Sequence, residues 1–123
     1  MLDGVLMSHK FITKPEDVFQ KGRLFFEKGH IIKPHYHKYG TKENLTIIEG
    51  RCRVDIYDFN ITAHKNKGRE KIISKWNRIV SVELCSGNTI FIEGAGHGFE
   101  MYTDVVMDEV KQGPYREDDK VFI

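Results

Sequence analysis

In RCRVDIYDF, residues 51–59, Cys52, Val54 and Ile56 alternate with Arg51, Arg53, Asp55 and Tyr57. That period of two marks a strand with one buried face. RIVSVEL, residues 78–84, repeats it, with Val80, Val82 and Leu84 set against Ser81 and Glu83. Shorter apolar runs at 24–27, 45–49, 89–92, 99–102 and 105–110 predict further strands. Gly29, Gly40, Gly50, Gly87 and the GAGHG of 94–98 punctuate them. Many short strands separated by turn signals predict an all-β antiparallel sandwich or barrel. Helical signals are weak: Thr13-Lys14-Pro15-Glu16-Asp17 predicts one short turn, with Thr13 as its N-cap. The polar HKNKGRE of 64–70 predicts an exposed hairpin tip before Lys71-Ile72-Ile73.

The chain has 123 residues, the size of one domain with one core. We take residues 1–123 as a single domain. Charged residues make up 30% yet balance to a net +1, so neither a nucleic-acid partner nor an acidic tail is expected. Aromatics at 11% argue against disorder. No apolar run reaches membrane-spanning length and MLDGVLMSHKF does not read as a signal peptide. A cytoplasmic location with no membrane partner is expected. Cys52 and Cys85 lack CxxC spacing and read as two reduced, buried thiols. Trp76 reads as an edge or core anchor, and His9 and His64 as surface residues.

Chemistry concentrates in KPHYHKYGTKENLTIIEG, residues 33–50. On a strand His35 and His37 project to one side while Tyr36 points away. Glu43 can face the same space if the chain turns at Gly40. Far downstream His97 sits between Gly96 and Gly98. Imidazoles with a carboxylate suit a divalent transition metal such as Zn, Fe, Mn or Ni. A histidine pair alone is weak support; the spacing of the whole pattern is what carries weight.

Gly29, His35, His37, Glu43 and Gly50 together resemble the first conserved motif of the cupin superfamily. Five residues separate His37 from Glu43, a longer loop than the family's usual one. Gly87 and Glu93-Gly94-Ala95-Gly96-His97 resemble the second motif, with Glu93 where the family has proline and one residue fewer before the histidine. The resemblance spans about residues 22–111. It implies a jelly-roll β-barrel in which His35, His37, Glu43 and His97 hold the metal, and a homodimer paired through sheet edges.

Cupins include isomerases, epimerases, oxygenases, decarboxylases and binding proteins, and fold does not choose among them. The compact size and the tail EVKQGPYREDDKVFI resemble small cupins of sugar and polysaccharide pathways. The favoured reading is a metal-dependent isomerase or epimerase acting on a small molecule, a sugar or nucleotide-sugar. An Fe- or Mn-dependent dioxygenase and a non-catalytic metal or small-ligand binding protein are the alternatives. Proton transfer needs a base and an acid: Glu49, Glu100 and Tyr102 are the candidates, with His30 and Tyr39 behind them. Strand parity places Glu49 on the face of Glu43 if the strand is regular.

Overall fold

The computed structural model describes residues 10–11, 13–66 and 69–123, with side chains described for 13–59 and 75–123. His9 and the Lys67-Gly68 tip of the expected hairpin lie outside the described residues. Ten strands run β1 (Lys10–Phe11), β2 (Phe19–Phe26), β3 (Ile31–His37), β4 (Glu43–Glu49) and β5 (Arg51–Asn66). Then come β6 (Arg69–Cys85), β7 (Thr89–Ile92), β8 (Gly96–Met101), β9 (Val105–Gln112) and β10 (Lys120–Phe122). They form two antiparallel five-stranded sheets, in the orders β1-β2-β9-β4-β7 and β10-β3-β8-β5-β6. The order crosses between sheets in the jelly-roll manner, as expected from the all-β reading.

Among the described residues there is no helix, and none long and apolar enough to cross a membrane. The expected turn at 13–17 is present, but Thr13 does not cap a helix. Its hydroxyl accepts from Lys21 N at 2.9 Å, while Asp17 accepts from Lys14 N at 2.9 Å.

The core gathers inward residues of both sheets: Leu24, Phe26, Leu45, Ile47, Cys52, Val54, Ile92, Phe99, Met101, Val105 and Met107, with Leu84. Each such side chain, fully buried, contributes roughly 1.5–3 kcal/mol. The β5 alternation holds, since Cys52 and Val54 are buried. On β6 it fails. Among its described side chains only Leu84 is buried, while Val80 and Val82 stay exposed on a strand that forms the edge of its sheet. β5 pairs β8 only from Cys52 to Tyr57; beyond that point β5 and β6 continue as a two-stranded ribbon. Both cysteines are free, but Cys85 is exposed rather than buried. Burial pushes the Cys52 thiol up to about 11.

Two glycines shape the path. Gly50 turns β4 into β5 at φ +96°, and a Cβ there would collide with the Asp104 carbonyl. A left-handed φ and a blocked side-chain position together demand glycine. Gly98 lets β8 approach β3 closely, its missing Cβ lying 3.0 Å from Ile32 O and 3.1 Å from Pro34 N.

Candidate metal centre

β3 ends at the histidine pair. Its register with β8 is irregular between Ile32 and His35, and the step brings His35 directly opposite His97. Proline at 34 cannot donate to a ladder, which suits an irregular step. His35 and His37, two apart, share the inward face, and Glu43 opens β4 on the opposing sheet. The ring centroids of His35 and His97 are 4.4 Å apart, those of His35 and His37 5.3 Å, and those of His37 and His97 5.4 Å. One nitrogen from each ring lies within 4.8 Å of the others.

Acceptors outside the cluster set the tautomers. His35 Nδ1 is 2.8 Å from Lys33 O and His97 Nδ1 is 3.1 Å from Ala95 O. A carbonyl only accepts, so in both rings Nδ1 carries the proton and donates. His37 Nδ1 donates to Asp119 Oδ2 at 2.8 Å. Three Nδ1 atoms are thereby occupied on the outside. Glu43 Oε2 lies 2.9 Å from His37 Nε2 and 3.0 Å from His97 Nε2. The longer loop after His37 leaves Glu43 beside His37 and His97, while the group whose ligand atoms all lie within 4.8 Å of one another is His35, His37 and His97.

Those short contacts are not aligned hydrogen bonds: His37 Nε2 and Glu43 Oε2 are both buried without a hydrogen-bond partner. Two opposed polar atoms left so are costly, and either a proton on His37 or a metal cation satisfies both. Ligands about 2.1 Å from one ion sit roughly 3–4 Å from each other. The Glu43 contacts match that spacing, and the histidine nitrogens, within 4.8 Å of one another, are spread somewhat wider. The three imidazoles, with a carboxylate beside two of them, fit a divalent transition metal.

Charge follows the same geometry. Burial, aided by the neighbouring His97, pushes His35 down to about 3, so at neutral pH it is an uncharged donor. Burial also opposes charge on His37, but the carboxylates of Glu43 and Asp119 outweigh it and raise that ring. Burial would raise Glu43, yet the two imidazoles facing it hold it below the usual carboxylate range.

The candidate acid–base residues are not brought to this cluster. A bulge between Ile47 and Glu49 breaks the parity of β4, and Glu49 is exposed. Glu100 has the opposite parity to His97 on β8 and pairs with Arg53 Nη1 at 2.9 Å. Tyr102 follows the end of β8, with the Arg51 guanidinium 5.5 Å above its ring. His30 stacks on Phe26. The Tyr39 hydroxyl donates to Asp118. Tyr36 points away as expected and stacks on Trp76, centroids 4.9 Å apart, so Trp76 is a half-buried anchor on the outer face.

Two groups escaped the sequence reading. Glu109 continues the inward parity of Val105 and Met107 on β9, with Oε1 3.6 Å from Lys111 Nζ. Burial raises its carboxyl, and the Glu43 charge adds to that, against the pull of Lys111 and His37. Parity along β9 was the signal that points to it. Asp119 is buried between β9 and β10. It accepts from Thr41 Oγ1 at 2.8 Å and Tyr39 N at 3.0 Å as well as from His37. No local signal marks it. A cavity of about 240 Å³ opens at this end, where Tyr39, Thr41, Lys111, Gln112, Arg116 and Asp119 supply its polar lining.

No model of a known family matches the chain, and no curated protein matches it. Solved structures do. An oxalate decarboxylase from Bacillus subtilis superposes with a TM-score of 0.61 at 20% identity, covering 88% of this chain and 24% of that one. The chain thus spans about a quarter of the decarboxylase. An RmlC-like cupin from Desulfovibrio desulfuricans gives 0.59 at 14% identity, covering 91% and 92% of the two chains. The Schizosaccharomyces pombe Cnp3 cupin domain gives 0.58 at 11% identity, covering 85% and 62%.

Proposed function

Starting from a chain that has the cupin fold, we propose that it is a metal-dependent enzyme that isomerises or epimerises a small sugar derivative. His35, His37, His97 and Glu43 would hold one divalent transition metal. The observation that carries this reading is the pair of buried, partnerless atoms, His37 Nε2 and Glu43 Oε2, set among three imidazoles. A bound ion supplies Lewis-acid polarisation of a carbonyl or hydroxyl oxygen.

The chain's own residues supply the rest. The Nδ1–H bonds to Lys33, Ala95 and Asp119 hold three lone pairs toward one point. Glu109 takes the acid–base role in place of Glu49, Glu100 and Tyr102. Burial raises the Glu109 carboxyl, which favours the form that can give a proton, and Lys111 Nζ beside Oε1 stabilises its anion. Phe99 and Ile92 keep the inner end dry. A cavity beside Asp119 offers the Tyr39, Thr41, Gln112, Lys111 and Arg116 side chains to a polyol alongside the apolar Val18, Phe19 and Pro114; Asp119, which bonds His37, links it to the histidine cluster, and neither Glu109 nor the four proposed ligands line it. Exposed Val80 and Val82 on the edge strand β6 support pairing into a homodimer.

A second reading is iron- or manganese-dependent oxygen chemistry or decarboxylation. It is favoured by the structural match to the B. subtilis oxalate decarboxylase, a protein described with Mn(II) centers.

Elemental analysis of protein made without an affinity tag tests the metal, with about one ion per chain expected; a metal-free, stable protein sinks the proposal. Metal-loaded protein with sugar phosphates and nucleotide sugars in deuterated water then tests the reaction. Deuterium uptake supports isomerase or epimerase chemistry. Oxygen consumption or carbon dioxide release on an oxo-acid without exchange supports the second reading, and tight ligand retention with neither supports a binding protein.

A further inference from the structure

The segment from Gly113 to Asp119 leaves β9 in one sheet and enters β10 in the other, so it straps the two sheets together at the histidine end of the barrel. β10 then pairs with β3, placing Lys120 opposite His37 and Phe122 opposite His35. The strap is tied at its far end through Asp118, which accepts from the Tyr39 hydroxyl at 2.7 Å and pairs with Lys38 Nζ at 3.1 Å, and through Asp119. Asp119 Oδ2 accepts from His37 Nδ1 and Thr41 Oγ1, Oδ1 accepts from Tyr39 N, and Asp119 O accepts from Lys38 N at 2.9 Å.

The three inward histidines differ in what holds them. His35 and His97 each donate to a backbone carbonyl only two residues away, so their own strands fix them. His37 donates to a side chain 82 residues away. Its tautomer and ring direction therefore depend on the strap being docked. A carboxylate behind a ligating imidazole holds the ring and makes it a stronger donor than a carbonyl does.

We infer that Asp119 is a positioning residue for His37 and that docking of the 113–119 strap and metal binding at the histidine cluster are thermodynamically linked. This rests on the metal reading proposed above. Linkage is reciprocal: whatever the docked strap contributes to metal affinity, the metal returns to strap docking.

The test compares wild type with Asp119→Ala, Asp119→Glu and Thr41→Val. Zn²⁺ affinity is measured by chelator competition, and imidazole nitrogen NMR reads which nitrogen of His37 is protonated. Asp119→Ala should weaken Zn²⁺ about 10–100-fold and scatter the His37 tautomer. Asp119→Glu should recover part of both. Thr41→Val, which keeps the carboxylate and removes one donor to it, should cost less than Asp119→Ala. Zn²⁺ should slow proteolysis within 113–119 in wild type and not in Asp119→Ala. If Asp119→Ala folds with unchanged Zn²⁺ affinity and an unchanged His37 tautomer, the inference fails while the metal reading stands, even if the strap becomes easier to cleave. If Asp119→Ala does not fold, Thr41→Val decides: wild-type affinity and an unprotected strap overturn the inference. If wild type binds no Zn²⁺ at all, both fail together.

Discussion

Strand β8 carries ionic chemistry on both its faces, and the two could hardly behave more differently. Outward, Glu100 Oε2 lies 2.9 Å from Arg53 Nη1, and Arg53 also bonds Asp55, which accepts from Ser81. Inward, beside His97, Glu43 Oε2 lies 2.9 Å from His37 Nε2. The distances are equal. On the outer face the partners are roughly a third exposed and water screens them. On the inner face both atoms are buried and neither finds an aligned partner. Distance alone does not separate a surface pair from a site. Burial without satisfaction does, because a buried polar atom has given up its contact with bulk solvent and needs a partner inside the fold.

The contrast breaks most visibly at the metal. His97→Ala should bring bound metal from about one ion per chain to background by elemental analysis, whereas Glu100→Ala should leave it unchanged.

Acid sharpens the contrast next. His35 falls to about 3 in the fold from an ordinary 6.5. Between those values the unfolded chain takes a proton that the folded chain refuses, so this residue makes stability fall as pH drops through that window. Glu43, held below its ordinary range, likewise stabilises above its unfolded pKa and loses that contribution as pH falls. His37 runs the other way: its raised ring stabilises below 6.5, and the contribution is lost as pH rises through its folded value. Urea unfolding of metal-free protein at pH 7 and pH 4 should show wild type losing on the order of a few kcal/mol more than His35→Gln.

Smaller effects follow. Glu109→Gln should lower turnover about 100-fold with metal content unchanged, and a flatter pH profile would accompany it. At the bottom of the scale, Arg53→Met on the outer face should leave the thermal midpoint and metal content where they were. A large loss there would show that the outer network props up the inner one.

Much of the barrel was legible because parity survives wherever a strand is regular. Cys52, Val54, His35 and His37 all face as their spacing predicts. Parity misled at Glu49, where a bulge after Ile47 resets the alternation without any mark in the residues themselves. It also misled at Val80 and Val82, whose pattern is that of a buried face but which stay exposed on an edge strand. Glu109 was readable in the parity of Val105, Met107 and Glu109, but no neighbouring histidine or glycine marks it as Glu43 is marked. Asp119 was out of reach. Its partner is 82 residues away, and only the folded chain brings a strap from one sheet edge to the end of β3.

Gly98 sits where β8 runs close to β3: a Cβ there would lie 3.0 Å from Ile32 O and 3.1 Å from Pro34 N. A larger residue needs the β3 backbone to give by a few tenths of an ångström, one position from His97, which stands opposite His35. Backbone crowding, more than chemistry, therefore limits drift at this position. Saturating position 98 should return small residues among metal-competent clones, while Glu93, exposed in the loop before β8, should accept most of the alphabet. The barrel's freedom to acquire new substrates would then lie in its rim and strap, around a centre that a single hydrogen atom keeps in register.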